Sequence, residues 1–267
     1  MTLADIKQAY LADLDITQER VNLELIKQIQ SRHIARYCFN SLAVVLSQEI
    51  PIDSESVFQK IVEQGRGGYC FEHNKLVFDV LTELALDVRI LLARVVYNKE
   101  VEAPRTHRIT LLKLDGEDYI VDTGFGHYGA RYPVKLKLGL DQDQGDVCYR
   151  IIQNKQGDYC YQIFKDNEFF TLYTFDLNTY TEADCMTGHF YSHKFPQAGF
   201  VNNLVVSRKH FNNIQSLRNN EFHQTENGET QITPIKDVAD LHDKLTRVFE
   251  LDVDGAISEF LFNKFAK

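Results

Sequence analysis

Tryptophan is missing from this 267-residue sequence, methionine occurs twice and proline five times. Glycine, at 14 residues, is sparse as well, so no linker or low-complexity tail announces itself. No internal repeat recurs at solenoid or propeller periods. Apolar runs are short: residues 42–46 and 90–93 are typical, against the roughly 20 needed for a spanning helix. Residues 1–7 lack the basic and apolar parts of a signal peptide. Positive charge is not in excess either. Lys and Arg number 29 against 38 Asp and Glu, a net charge of -9, which argues against DNA or RNA as the main partner. A small anionic ligand needs only a local cluster of cations and stays possible. The five cysteines (Cys38, Cys70, Cys148, Cys160, Cys185) are odd in number and form no CxxC pair, which suits reduced thiols rather than a disulfide frame. These features together predict a cytoplasmic protein with no membrane and no nucleic-acid partner.

What is present is an ordinary globular composition, 44% hydrophobic and 25% charged. Up to about residue 86 the apolar spacing is helical: Leu3, Ile6, Tyr10 and Leu11, then Leu23, Ile26, Ile29 and Ile34, then Val57, Ile61 and Val62. From Phe71 to Leu86 the stripe Val77, Phe78, Leu81, Leu84 and Ala85 is widened by Leu76 and Val80, which predicts a helix buried on most sides. After Asp87 the chain turns β-branched and aromatic, with strands expected at 88–97, 107–114, 119–122, 147–153, 159–164 and 169–174. Asp115-Gly116, residues 154–158 and residues 165–167 read as hairpin turns between them. That pattern predicts an antiparallel sheet or small barrel. Beyond residue 176 a helix from Thr179 or Thr181 toward His189, a strand at 203–208 and an amphipathic pair at 238–249 and 256–265 follow.

One segment stands out: Arg66-Gly67-Gly68-Tyr69-Cys70-Phe71-Glu72-His73-Asn74. An isolated cysteine is ordinarily a small buried hydrophobe. Cys70 differs in following a Gly-Gly turn and opening a helix, whose free N–H groups and dipole favour thiolate. Glu72 falls in the first turn, and Arg66 is expected to hold the loop. His107 and Asp122, 15 residues apart, flank the Asp115-Gly116 turn, so a hairpin brings them within hydrogen-bond reach. A carboxylate on one imidazole nitrogen leaves the other free to take a proton from a thiol.

These residues resemble the arylamine N-acetyltransferase family, through the Arg66–Asn74 segment, Thr106-His107-Arg108 and Val121-Asp122-Thr123-Gly124-Phe125-Gly126. The resemblance is strong from about residue 55 to 136 and extends more weakly to 34–53, 200–207 and 217–220. It implies an α+β chain in three parts: a helical bundle (1–86) carrying the nucleophile, an antiparallel β-barrel (87–190) carrying base and orienter, and an α/β lid (191–267). The Cys-His-Asp core is of the kind shared with cysteine proteases and transglutaminases. It implies a ping-pong reaction in which Cys70 takes an acetyl group from acetyl-CoA and passes it to an arylamine, arylhydrazine or N-hydroxyarylamine. His107 would relay protons and Asp122 orient it. Phe125, Tyr69 and Val205 would line the acceptor pocket, and Arg105, Thr106, Gly124, Gly126 and Asn202 would hold the CoA. Three positions depart from the family pattern. Cys38-Phe39-Asn40-Ser41 stands where Pro-Phe-Glu-Asn is usual, His127 replaces a common glycine, and Thr123 a small aliphatic residue.

Other signals carry less. Gly124-Phe125-Gly126-His127-Tyr128-Gly129 fits G-x-G-x-x-G, but no helical pattern follows it, so a dinucleotide fold is not expected. Arg105, Arg108 and Arg131 are candidate phosphate contacts. His189 and His193 have helical metal-pair spacing but no third ligand, and read as a solvated segment. No metal is expected. The competing functions are a transglutaminase-like or papain-like hydrolase, another acyl or amide-forming transferase of the same fold, and a catalytically silent binding module.

Overall fold

The structure is a computed structural model and describes residues 1–99 and 101–267. Side-chain caps start the first helices where the apolar spacing begins. Thr2 and Asp5 form a reciprocal capping box on Leu3–Asp13, Asn22 caps Leu23–Arg36, and Asp53 caps Ser54–Phe58. Leu23–Arg36 buries Leu25, Ile26, Ile29 and Ile34 along one face, together with Gln30 and His33. Cys70–Glu83 is the central helix. All but Phe78, Thr82 and Glu83 of its residues are buried, as its all-round apolar pattern predicts.

Eight antiparallel strands follow in the spatial order Val134–Lys135, Glu117–Val121, Arg105–Leu114, Asp87–Val95, Glu168–Phe175, Tyr159–Lys165, Cys148–Gln153, Gln142–Asp143. The Asp115-Gly116 and Asp166-Asn167 turns have positive φ at both residues, the geometry that matches strand twist. Inward residues such as Leu91, Ile109, Leu111, Tyr149, Tyr161 and Leu172 fill the interior, each worth roughly 1.5–3 kcal/mol of burial. The two edge strands are clasped by one amide: Gln142 accepts from Lys135 N (2.8 Å) and donates to Lys135 O (3.0 Å). The sheet is thus a nearly closed barrel.

A second sheet has the order Phe39–Asn40, Val205–Lys209, Asn213–Arg218, Glu221–Glu226, Glu229–Pro234. Only the second of these strands is expected from the sequence. The last carries no apolar periodicity and lies mostly exposed; Asn227-Gly228, with φ +52° and +84°, is the hairpin signal that marks it. Val206, Leu217 and Phe222 face a core shared with Leu241, Leu245, Phe249 and Leu261 of the C-terminal helices. The opposite face, with Val205, Ser207, Ser216, Arg218 and His223, borders a cleft against the barrel. No helix among the described residues is long and apolar enough to cross a membrane.

Candidate active site

The nucleophile segment is built as a hydrogen-bonded extension of Phe39–Asn40. Gly68 N donates to Cys38 O (3.3 Å) and Asn40 N to Gly68 O (2.7 Å). Gly67 sits at φ +60°, and a Cβ there would fall 1.9 Å from the Cys38 carbonyl oxygen, so only glycine fits. Asn40 ties the loop from below. Its Nδ2 donates to the carbonyls of Arg66 (2.9 Å) and Cys38 (3.3 Å), and its Oδ1 accepts from Leu42 N (3.1 Å). A carboxylate has no proton to give those carbonyls, so the departure at Asn40 is a substitute support. Arg66 finds no carboxylate; it donates to Gln48 Oε1 (2.5 Å). Glu72 accepts from Tyr69 N (3.1 Å) and pairs with Lys60 (2.5 Å).

Cys70 is the first residue of Cys70–Glu83 and is 3% exposed. Its thiol points to the carbonyl of Thr106 (3.5 Å), the neighbour of His107. The helix start acts as expected, since the Phe71 N–H favours thiolate. Burial, and then the Asp122 charge, outweigh it and push the thiol well up. A base beside the sulfur, keeping its proton nearby, offsets both costs.

His107 Nε2 lies 2.7 Å from Asp122 Oδ2, both side chains being almost fully buried. Burial alone would raise the Asp122 carboxyl. The His107 charge and bonds from His107, Asn74 and Gly124 hold it below the usual carboxylate range instead. An ionised Asp122 accepts the Nε2 proton, leaving Nδ1 free. Phe125 and Tyr173 box the imidazole, with ring centroids 5.0 and 5.1 Å away.

Asn74 joins the two halves. Its Nδ2 donates to Asp122 Oδ1 (2.9 Å) and Arg108 O (2.6 Å), and its Oδ1 accepts from Thr123 N (2.8 Å) and Thr123 Oγ1 (3.1 Å). The hydroxyl of Thr123, absent from a small aliphatic residue, thus closes the amide's fourth bond. The spacing Cys70 to Asn74, one helical turn, was the sequence signal for this role. Gly124 lets the barrel come close: a Cβ there would lie 2.7 Å from Cys70 Cα.

A cleft of about 660 Å³ opens on these groups. Of the residues expected at the site, Cys70, Thr106, His107, Gly124, Phe125, Gly126 and Val205 line it. Tyr69 does not. It is 1% exposed and its hydroxyl is bonded to His189 Nδ1. Asn202 is turned back onto Pro196 O (2.7 Å) and Ala198 O (2.9 Å), and Asn203 takes the cleft position. Arg105, Arg108 and Arg131 are spent on Asp176, Glu182 and Asp146 and do not border the cleft. The cations that do are Lys165 and Arg218, which the sequence reading missed. Glu221, the cross-strand partner of Arg218, turns to His223 instead (3.4 Å). Ser207 Oγ, also on this wall, is buried without a hydrogen-bond partner.

His127 lies on the cleft wall too, its basicity depressed to about 4 by burial and then by His223, Lys209, Lys165 and Arg218. Gly126–Tyr128 is one tight turn with no helix after it, so the G-x-G-x-x-G match has no dinucleotide context. His189 is buried, donating from Nε2 to Ile50 O (3.0 Å), which corrects the solvated reading. No group of three metal-ligating side chains occurs among the described residues.

Fold and site together define an α+β protein in which a helix-start cysteine and a barrel-borne histidine–carboxylate pair share one cleft. Residues 22–258 match the N-acetyltransferase family. The chain is 35% identical over 251 residues to the arylamine N-acetyltransferase of Escherichia coli K12, covering 92% of this chain and 88% of that one. It is 31% identical over 237 residues to the arylamine N-acetyltransferase / N-hydroxyarylamine O-acetyltransferase of Salmonella typhimurium, with 86% and 83% covered. The solved structure of the arylamine N-acetyltransferase from Salmonella typhimurium superposes with a TM-score of 0.91 at 28% identity, over 99% of this chain and 100% of that one. The Mycobacterium marinum enzyme in complex with CoA gives 0.91 at 25%, over 97% and 99%. The chain belongs to the arylamine N-acetyltransferase family.

Proposed function

We propose that this chain transfers an acetyl group from acetyl-CoA to an arylamine, arylhydrazine or N-hydroxyarylamine through a thioester on Cys70. The observation that carries the reading is a buried thiol sharing a cleft with an imidazole whose Nε2 is held by an ionised carboxylate. His107 Nδ1 takes the Cys70 proton, and the sulfur attacks the thioester carbonyl. CoA leaves as a thiolate and regains that proton from His107. The acceptor nitrogen then attacks acetyl-Cys70, its proton passes to His107, and the Cys70 thiol is restored. Asp122 stabilises the transient imidazolium. Burial of the site keeps water from the thioester.

The cleft suits both substrates. Phe125, Tyr97 and Phe170 offer aromatic faces to an aromatic amine. Lys165, Arg218 and the unpaired Ser207 hydroxyl offer an anion-binding wall for the phosphates of CoA. The division into bundle, barrel and lid near residues 86 and 190 belongs to this reading; the barrel core is drawn wholly from 87–190, while Cys38, Leu42 and Val45 pack with the C-terminal helices and Ile90, Leu92, Leu112, Val121 and Cys185 with the first helices. Five unpaired cysteines suit a cytoplasmic setting.

Intact-mass measurement after mixing with acetyl-CoA, without acceptor, tests the proposal. One acetyl adduct on Cys70 is expected, lost on adding an arylamine and absent in Cys70→Ala. A folded protein that acquires no adduct overturns it.

A further inference from the structure

Three buried side chains link the first helix to the nucleophile loop. The Tyr10 hydroxyl lies 2.8 Å from His33 Nδ1, His33 Nε2 lies 2.7 Å from His73 Nδ1, and His73 Nε2 lies 3.1 Å from the Gly68 carbonyl oxygen. Tyr10 and His33 are 0% exposed and His73 is 1%. Tyr10 belongs to Leu3–Asp13, His33 to Leu23–Arg36 and His73 to Cys70–Glu83. The line therefore crosses three helices and ends two residues before Cys70.

Its direction follows from the inventory of donors and acceptors. A carbonyl only accepts, so His73 Nε2 carries the proton. A neutral imidazole has one N–H, so His73 Nδ1 is a lone pair and must accept from His33 Nε2. His33 Nδ1 is then a lone pair as well, and the Tyr10 hydroxyl donates to it. Turning the line around would aim a lone pair of His73 at the Gly68 carbonyl. Adding a proton to His73 would set two N–H groups against each other across 2.7 Å, and one added to His33 would oblige the Tyr10 hydroxyl to turn and accept. Burial opposes that proton at both rings.

At the far end, Gly68 O also accepts from Asn40 N (2.7 Å). The peptide that leads into Tyr69 and Cys70 is thus held by two donors, one of which is the near end of a line that closes on the Tyr10 hydroxyl. The chain is fully satisfied, and a buried polar line that lost one member would leave the others unpaired.

We propose that Tyr10, His33 and His73 are positioning residues for the nucleophile: the acceptor-only Gly68 carbonyl fixes the tautomer of both imidazoles, the Tyr10 hydroxyl answers the lone pair left at the far end, and the line so closed holds the Gly68 carbonyl and, through it, the Cys70 sulfur. The proposal rests on Cys70 as the acetylated thiol.

Tyr10→Phe removes the hydroxyl and keeps the ring. Two-bond ¹H–¹⁵N spectra of the wild type at pH 7 are expected to show both His33 and His73 protonated at Nε2 alone. In Tyr10→Phe the Gly68 carbonyl still sets both tautomers, His33 Nδ1 is left a buried unpaired acceptor, and single-turnover acetylation of Cys70 slows about five- to tenfold, the scale of one lost hydrogen bond. KM for acetyl-CoA stays unchanged. His73→Gln, whose amide can still donate to Gly68 and accept from His33, is expected to keep more of the rate than His73→Leu. Iodoacetamide alkylation of Cys70, which needs no CoA, is expected to slow in parallel. Nδ1–H at either ring of the wild type overturns the assigned direction. Unchanged alkylation and acetylation in Tyr10→Phe overturn the positioning role. Failure of wild-type acetylation alone overturns the proposed reaction instead, and the alkylation and tautomer measurements still decide the relay.

Discussion

The two sides of the cleft are held in opposite ways. On the nucleophile side nearly every polar group is answered by another: Asn40 by two carbonyls and an N–H, Glu72 by Lys60 and Tyr69, Asn74 by four bonds, Asp122 by His107, Asn74 and Gly124. On the lid side Ser207 Oγ has no partner and Arg218 is not paired by its cross-strand carboxylate. Groups satisfied within the chain fix geometry, where small displacements cost rate. Groups left open cost stability in the free protein and gain partners when a ligand arrives. Variants on the first side should therefore change the chemical step, and variants on the second should change binding.

The largest effect is expected from Asp122→Asn. The amide presents either an N–H to His107 Nε2 or a carbonyl of lower charge, so the tautomer is freed and the imidazolium loses its counter-charge. A fall in the acetylation rate of about 10⁴-fold is expected, the scale for a triad carboxylate changed to its amide. Stopped-flow measurement of CoA release reads it. A loss below tenfold would mean that the carboxylate is not part of the proton relay.

Gly124→Ala comes next. The new methyl would lie 2.7 Å from Cys70 Cα and 2.8 Å from Asn74 Nδ2, neither of which is a free side-chain end. Barrel and helix must part, and a shift of about 1 Å at a reacting pair costs on the order of 10²-fold in rate. A urea titration separates this from loss of folding: the variant should still unfold in one cooperative transition while acetyl transfer falls. Equal rates in variant and wild type would show that the two elements tolerate separation.

Much of this first side could be read before any coordinates. The Gly67-Gly68 turn, the helix start at Cys70 and the hairpin that unites His107 with Asp122 are local signals with short range, and each appears where spacing puts it. The helices and barrel strands follow for the same reason: apolar period and turn chemistry act over a few residues. What escaped has a long-range cause. Phe39–Asn40 is a strand because Val205–Lys209, far along the chain, pairs with it. Arg105, Arg108 and Arg131 look as available as Lys165 and Arg218 until the carboxylates of distant segments claim them. Tyr69, beside the nucleophile in sequence, faces away because its hydroxyl meets His189 from residues 120 positions on.

Acid should expose the difference between the two sides next. Burial holds His73, His127 and His189 down to about 4, in each case as the largest cause. Each ring stays neutral in the fold while the unfolded chain takes up a proton near the ordinary value of about 6.5. Between 6.5 and about 4 the unfolded state thus binds more protons, so stability rises with pH across that window and is lost as pH falls through it. The slope reaches about 1.4 kcal/mol per pH unit for each such ring. Urea midpoints at pH 7, 6 and 5 should fall steadily. His73 and His189 brace the nucleophile loop and His127 does not, so His127→Gly should flatten the slope while leaving the acetylation rate at pH 7 closest to wild type. A profile with no change between pH 7 and 5 contradicts the assignment.

The smallest effects belong to the open side. Arg218→Ala removes a cation that borders the cleft without a bound carboxylate, so the fold loses little and stability should stay within about 0.5 kcal/mol of wild type. If the anion it serves is on CoA, KM for acetyl-CoA rises several-fold while the rate of Cys70 acetylation at saturation is unchanged, because the contact is made equally in ground and transition states. The rise should shrink with added salt, as screening weakens the wild-type interaction toward that of the variant. Ser207→Ala should act in the same direction and more weakly, since a neutral hydroxyl offers about half the strength of a charged donor. The opposite outcome, a lower saturating rate at unchanged KM, would make this wall part of the chemical machinery and erase the distinction between the two sides. Ping-pong kinetics permit the separation, because the donor half-reaction is measured before any acceptor is added.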